Sequence, residues 1–577
     1  MRFLTSLIKG MLPLLALVAE PGRGVDFTIL HTNDLHSAVV GSGPDAYFTP
    51  EVGDGDPVKG HYGRLLYEIR RIKSQKAAEE VPVLTLDAGD FFSGSVFHVL
   101  TPDPKIPDSP ELEFFKLAGY DAITLGNHEF DAGPQGFFNL LRKNRDTYGL
   151  PLLSSNLAPM EGRLTFAEDR QLIEHQVSPS IIKDLKGPNG QVRIGILGIM
   201  GYDAALVSMG TRAGIGFVGF DDQKSEKKQD ELVEHLNREI ATLRQEDEAD
   251  VIILVAHAGS PEDEDLAKSL EGLDMIIAGH THQAYRTVKV VDGVFIVQAG
   301  HQGRHLGRLD FSFDSQGLKL QTALDQVILD IDDGTPVDTE YMDYVAEYEK
   351  LIDQTLADTS FRMGSEVFTA TKEYVRQPIQ PNEYGTLIAS GLLTEANNTL
   401  DRPGDLYLSS MALIREDIRL VGGQPTTYLF SDIFRLLPIG YGDDLSPGSP
   451  VVSFYLSKKD LWSLLNFLEI YRHVSANFTP AYSDSLTFQV RSWGIPFLNR
   501  LKDLKLHGKA YDDWPELIHI VTTSFVADFF SKGKQLSYGL LDVDFRDALG
   551  QVVHQPTVHS MREYLLLSHA FEGRQIP

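Results

Sequence analysis

The residues of this 577-residue chain best suited to chemistry fall in five short stretches of its first half. They are Asp34-Leu35-His36, Gly89-Asp90, Gly126-Asn127-His128-Glu129-Phe130-Asp131, His257, and Gly279-His280-Thr281-His282. Each follows a run of apolar, strand-like residues, and strand ends are where open α/β sheets bind ligands. Carboxylates, an amide and imidazoles, in a chain without cysteine, make a donor set of oxygen and nitrogen alone. Such a set suits a pair of divalent transition metals, and hence hydrolytic chemistry.

Spacing refines the reading. Asp34 and His36, like His280 and His282, stand two apart, which on extended chain puts both side chains on one side. Asp90 follows its strand through the turn Ala88-Gly89, where a carboxylate could bridge two ions; Asp87, still inside the apolar strand, reads as structural. Asn127 and His128 are adjacent, so one can meet metal while the other faces substrate. Asp131 lies three residues after His128, about one helical turn, and can orient that imidazole as a general acid or transition-state clamp.

The elements that must position these residues alternate. Strands are expected at Phe27–His31, Val83–Asp87, Ala122–Leu125, Leu152–Ser155, Arg193–Ile199, Val251–Ala256, Met275–Ala278 and Val294–Gln298. Between them, Gly63–Lys73, Pro110–Leu117, Gly136–Arg142 and Lys227–Arg244 carry helical periodicity. Late edge strands follow at Asp310–Phe313 and Val327–Ile331, and Thr339–Ala357 reads as a connecting helix. The alternation predicts an α/β layered domain over 25–335, a linker helix over 336–359 and a mixed α/β domain over 360–577. Asp45–Lys59, rich in Asp, Gly and Pro, reads as a surface loop.

Composition narrows the function further. A hydrophobic content of 42% with 23% charged residues is that of a soluble globular protein. The net charge of −29 repels nucleic acid polymers and anionic membrane surfaces, which points to a small-molecule partner. Residues 1–24 read as a signal peptide, with Arg2 and Lys9 ahead of the apolar Met11–Ala19, so export to a periplasm or cell surface is expected. No later run is long enough for a membrane span.

In this order, D-x-H, GD, GNH, H and GH-x-H resemble the calcineurin-like metallophosphoesterases. The fuller string GNHEFD and the second domain resemble the 5′-nucleotidase / UDP-sugar hydrolase family. The resemblance implies a four-layer αββα sandwich followed by a C-terminal nucleotide-binding domain. It also implies two divalent ions (Zn, Mn, Co or Fe), one held by Asp34, His36, Asp90 and His282. Asp90 would bridge to a second ion held by Asn127, His257 and His280, with His128 and Asp131 as the catalytic dyad. Metal-activated water would then release phosphate from a nucleotide. Arg376, Arg415, Tyr441 and Phe525 are the substrate-side residues the resemblance points to.

The second domain departs from that family. The family's glycine-rich loop reads Ser409-Ser410-Met411-Ala412-Leu413 here, its P-F-x-N turn reads Pro438-Ile439-Gly440-Tyr441, and the stretch after Phe525 is Ala527-Asp528-Phe529-Phe530-Ser531. Two further readings therefore stand beside the nucleotidase: a phosphodiesterase or pyrophosphohydrolase acting on cyclic nucleotides or nucleotide-sugars, and a non-catalytic surface binding protein that retains the fold.

Overall fold

The computed structural model describes residues 24–41, 59–159, 167–208, 211–212, 214–332, 334–377, 383–472, 479–491, 501–531 and 543–577. The expected leader, residues 1–23, and nearly all of the expected surface loop at 45–59 lie outside the described residues.

Two sheets stack face to face in the first half. One runs in the order Gly317–Leu320, His305–Asp314, Val25–Thr32, Val83–Asp87, Ala122–Thr124, Leu152–Leu153, Val177–Ser178, with Ile328–Asp330 also pairing with His305–Asp314. The other runs Lys289–Val291, Val294–Val297, Met275–Ala278, Val251–His257, Gly190–Met200, Ser180–Gly187. The inner strands of both are parallel, so their carboxyl ends share one edge.

Period-two alternation sorts the apolar strands into layers. Val251, Ile253 and Val255 join Ile29, Leu84 and Leu86 in the seam between the sheets. Ile252, Leu254 and Ala256 face outward onto Leu236, Ile240 and Leu266 of the helices Gln229–Gln245 and Ser260–Ser269. On the other flank, Leu30 and Ile123 pack against Leu65, Ile69, Phe114 and Phe137 from three further helices. Burial on both faces is why Val251–His257 is an unbroken apolar run rather than an alternating one. Each such side chain removed from water contributes on the order of 1.5–3 kcal/mol. The expected αββα layering results.

The helix Thr339–Thr355 starts where the Asp338 carboxylate accepts the Tyr341 N–H at 3.3 Å, and its buried face carries Tyr341, Val345, Tyr348 and Ile352. Beyond it, a five-stranded sheet orders Pro480–Tyr482, Leu406–Ser410, Leu517–Thr523, Pro450–Ser457 and Thr557–Arg562, beside smaller three-stranded sheets. The second half docks over the strand-end loops of the first. Gln302 Nε2 donates to Glu416 Oε1 at 2.6 Å, and the Tyr441 hydroxyl donates to the His98 carbonyl at 3.2 Å. No helix among the described residues is long and apolar enough to cross a membrane.

Four strands of these two sheets were not foreseen: Val177–Ser178, Ser180–Gly187, Lys289–Val291 and Gly317–Leu320. Ser180–Gly187 and Lys289–Val291 are half-exposed edges with no clean alternation, so their pattern carries no strand signal.

Candidate metal centre

The five stretches converge at the shared carboxyl edge, though not by the expected geometry. Strand Val25–Thr32 ends before Asp34, and Met275–Ala278 ends before His280. Asp34, His36, Asp90, His280 and His282 instead sit in tight loops at φ of 51, 48, 56, 73 and 56°. Left-handed backbone is uncommon for non-glycine residues and clusters at functional sites, where the surroundings must hold it. Here the loops hold one another: Asp34 N donates to Gly89 O at 2.8 Å and His36 N to Asp90 O at 3.0 Å. Ser37, next to His36, donates its hydroxyl to Glu111 at 2.5 Å, tying the loop to the helix Pro110–Ala118. That helix is itself fixed by the Ser109 cap, Pro110 at its first position and Gly119 at its end.

Glycine is required where loops touch. A Cβ on Gly126 would lie 2.3 Å from Asp90 Oδ1, and one on Gly89 2.7 Å from the Gly126 nitrogen. Only bare backbone lets the GD and GNH loops meet.

Ligating atoms gather in three overlapping groups: Asp34, His36 and His282; His36, Asp90 and His128; Asp90, His257 and His280, each within 4.8 Å. The chemistry of these atoms fits divalent cations. His257 Nδ1 faces the Ala88 carbonyl at 2.8 Å, which only an N–H can do, so a neutral ring turns a lone pair outward from Nε2. That Nε2 meets Asp90 Oδ2 at 3.0 Å and Asn127 Oδ1 at 3.2 Å, three acceptors facing one point. His36 repeats the arrangement: Nδ1 meets the Ser93 carbonyl at 2.8 Å, and Nε2 meets His282 Nε2 at 2.9 Å. Acceptors converging in this way need positive charge between them. With protons alone, burial would depress His257, but Asp90 overrides it and raises the imidazole to about 10. A proton thus stands where the donor set would hold a metal, and binding would displace it.

His128 lies beside these groups. Its Nδ1 faces Asp131 Oδ2 at 2.6 Å, across the short 3-10 turn His128–Phe130. Burial opposes its charged form, yet Asp131 and Asp90 raise it above the ordinary histidine value. Its backbone N–H donates to Asp90 Oδ1 at 2.8 Å, so the same residue also orients the shared carboxylate.

Asp87 keeps to structure: burial pushes it up to about 8, and it accepts from Thr32 Oγ1 at 2.6 Å and Gly89 N at 2.9 Å. Sequence reasoning gave no role to Glu129, which accepts the N–H groups of Asp90, Phe92 and Gly126 at 3.1, 3.1 and 2.5 Å. It also passed over Asn33, which bonds Asp34, Gly300 and Ala299 at 2.7, 2.6 and 2.7 Å. A buried acid and amide inside the motif strings were the available signal.

The second half roofs the site. Arg415 lines the cavity of about 420 Å³ that contains Asp90, Asn127, His128 and His280, and Phe525 lines its far end. Arg415 also lines a second cavity of about 370 Å³ with His36, His282 and Arg376. Arg376 is engaged there: Nε donates to Asp417 Oδ1 at 2.9 Å and its guanidinium bonds the Arg415 carbonyl. Tyr441 falls elsewhere. Its ring lies 6.0 Å from that of Phe92, and it lines a neighbouring cavity of about 430 Å³ rather than the one over the donor groups.

Residues 27–284 match the calcineurin-like phosphoesterase family. Over those residues the chain is similar to that family. Among the chain's relatives is a trifunctional nucleotide phosphoesterase of Bacillus subtilis, 25% identical over 64% of this chain and 24% of that one. The 5′-nucleotidase of Mus musculus is 24% identical over 67% of this chain and 62% of its own. The chain thus spans between a quarter and about three fifths of these curated relatives. A 5′-nucleotidase precursor from Thermus thermophilus shares the fold, with a TM-score of 0.69 at 19% identity over 96% of this chain and 99% of that one.

Proposed function

We propose that the protein hydrolyses phosphomonoesters at a pair of divalent ions. Residues 25–335 would carry the hydrolytic machinery, and 360–577 would wall the substrate site. The observation that carries this reading is the pair of acceptor clusters sharing Asp90, set beside the His128–Asp131 pair. Asp34, His36, Asp90 and His282 would hold one ion, and Asp90, Asn127, His257 and His280 the other. Bound divalent ions supply a nucleophilic water at neutral pH and neutralise charge on a phosphoryl group.

The chain's own residues account for the remainder. His128, whose imidazole Asp131 and Asp90 raise above the ordinary histidine value, lines the cavity and can donate to a phosphoryl or leaving-group oxygen. Asp131 fixes the ring through Nδ1. Arg415, on the opposite wall, places a guanidinium against the anion and offsets part of the repulsion from a chain of net charge −29. The names of the relatives support nucleotides as substrates; the altered lining of the second half does not.

Phosphate release from AMP and glycerol 3-phosphate, and p-nitrophenol release from bis-p-nitrophenyl phosphate, test the proposal in protein reconstituted with Mn²⁺ or Zn²⁺. Release from either monoester supports it. Turnover of the diester alone favours a phosphodiesterase, and no turnover of any substrate by metal-replete protein refutes hydrolysis.

A further inference from the structure

The cavity over the donor groups has two chemically distinct ends. One carries Asp90, Asn127, His128, His280 and Arg415. The other carries Leu413, Ile439 and Val526, packed with Phe525 and Phe530 into a small apolar cluster that Phe530 joins to the core of the second half. These five come from three places: the turn Met411–Leu413, the Pro438-Ile439 turn after the helix Phe430–Leu436, and the helix Ser524–Ser531. An apolar cluster gathered from three segments against an open cavity does what a ligand subsite does. Its polar complement is small. Away from the donor groups the described lining adds the Asp203 carboxyl and the hydroxyls of Ser208, Ser409 and Ser410; Ser208 Oγ already bonds the Ala204 carbonyl, and Ser409 Oγ is buried without a hydrogen-bond partner. Apart from Asn127, no amide side chain lines the cavity among the described residues.

A nucleobase brings several edge donors and acceptors, and burying them without partners costs affinity. An apolar group brings none. The cavity volume of about 420 Å³ is at the low end for ligand pockets (~300–1,000 Å³), which suits a compact substrate. We propose that this end binds the alcohol portion of the substrate, and that the protein prefers phosphomonoesters of compact apolar alcohols, alkyl or arylalkyl, over nucleotides. This rests on the phosphomonoesterase reading above. Leu413 and Ile439, at positions where the sequence departs from the family pattern, give this end aliphatic surface.

The test compares 2-phenylethyl phosphate, AMP and glycerol 3-phosphate with the full-length, metal-replete protein. All three release a primary alcohol, so their intrinsic reactivities are alike and kcat/KM reports recognition. The expected preference for 2-phenylethyl phosphate is about tenfold to a hundredfold over glycerol 3-phosphate, and AMP falls below 2-phenylethyl phosphate. Leu413→Ser and Phe530→Ala should each lower the 2-phenylethyl to glycerol 3-phosphate ratio about tenfold. The ratio is taken within one preparation, so loss of folded protein cancels. Hydrolysis of AMP or glycerol 3-phosphate at least as efficient as that of 2-phenylethyl phosphate overturns the apolar subsite while leaving the hydrolase reading intact. Release of phosphate from none of the three overturns the hydrolase reading itself.

Discussion

Glu129 is the residue on which the site's geometry depends most heavily without facing the cavity. Its Oε2 accepts the N–H groups of Asp90 and Gly126, and its Oε1 accepts that of Phe92. These are the two loops that carry Asp90 and Asn127. Burial, then the Asp90 charge, pushes its carboxyl well above the usual range, while the donors pull the other way. All three of its hydrogen bonds are accepted, a pattern that matches a carboxylate and leaves an acid proton without an acceptor. Glu129→Gln separates the two states. An amide keeps one accepting oxygen and turns an NH2 toward the other position. The better orientation gives that oxygen to Asp90 and Gly126 and leaves the Phe92 N–H facing a donor. One buried, unpaired N–H costs about 1–3 kcal/mol, a sizeable part of a typical stability of ~5–15 kcal/mol. Urea unfolding should read that loss as a lowered midpoint at unchanged slope. Because Phe92 lies two residues from Asp90 in the same loop, metal affinity should fall about tenfold to a hundredfold, measured by competition with a chelator. A variant within ~0.5 kcal/mol of the parent and equal in metal retention would refute the clamp and show that an uncharged acid does the same work.

Asp90→Ala should strip both ions together, because Asp90 belongs to the groups on both sides; atomic absorption that finds one ion retained would show that the carboxylate is not shared. His128→Ala should lower kcat by about 10²–10⁴ while leaving metal content intact, and loss of metal instead would assign His128 to the ligands. Far from the site, burial pushes Glu563 up to about 7 from 4.5, so the native state keeps a proton that the unfolded chain has released between those values. Stability from this group is full below about pH 4.5 and is lost as pH rises to about 7, a loss on the order of 3–4 kcal/mol. Glu563→Gln should therefore raise the melting temperature relative to the parent at pH 8 and close that gap below pH 5; parallel profiles would contradict the assignment.

The first half was legible because its strands are buried on both faces and its helices on one, and each geometry writes its own period. Val251–His257 and Met275–Ala278 could be read almost to the residue. The donor residues were legible as types, yet the reason for their convergence was not. The i, i+2 spacing of Asp34 and His36 suggested an extended strand, whereas both lie beyond the strand in left-handed loops. A local period cannot report a turn that is held by another loop, here by the carbonyls of Gly89 and Asp90. Tyr441 was misleading for a similar reason. Its sequence position follows the turn that should face the site, but its ring packs on Phe92 and His98, residues more than 300 positions earlier.

The loop from Ala299 to Arg304 explains how the two halves keep register. At one end Asn33, adjacent to Asp34, accepts from Ala299 N and donates to Gly300 O. Gln302 N donates to the Asp34 carbonyl at 2.7 Å, while its side chain reaches Glu416, next to Arg415. The His301 ring meets that of His282 edge-on at 4.9 Å. One short loop therefore touches a proposed ligand, the residue orienting it, and the neighbour of the proposed substrate arginine. Arg415 is held from its own side as well, its N–H donating to the Leu436 carbonyl at 3.0 Å. The apolar end, by contrast, is built from Leu413, Ile439 and the helix Ser524–Ser531, none of which belongs to that loop. Ile439 and that helix lie outside the loops that hold the donors, whereas Leu413 is two residues from Arg415. On the proposed reading, reaction class and substrate choice draw on different segments of the chain, so motifs that point to the first leave the second to be read from the cavity.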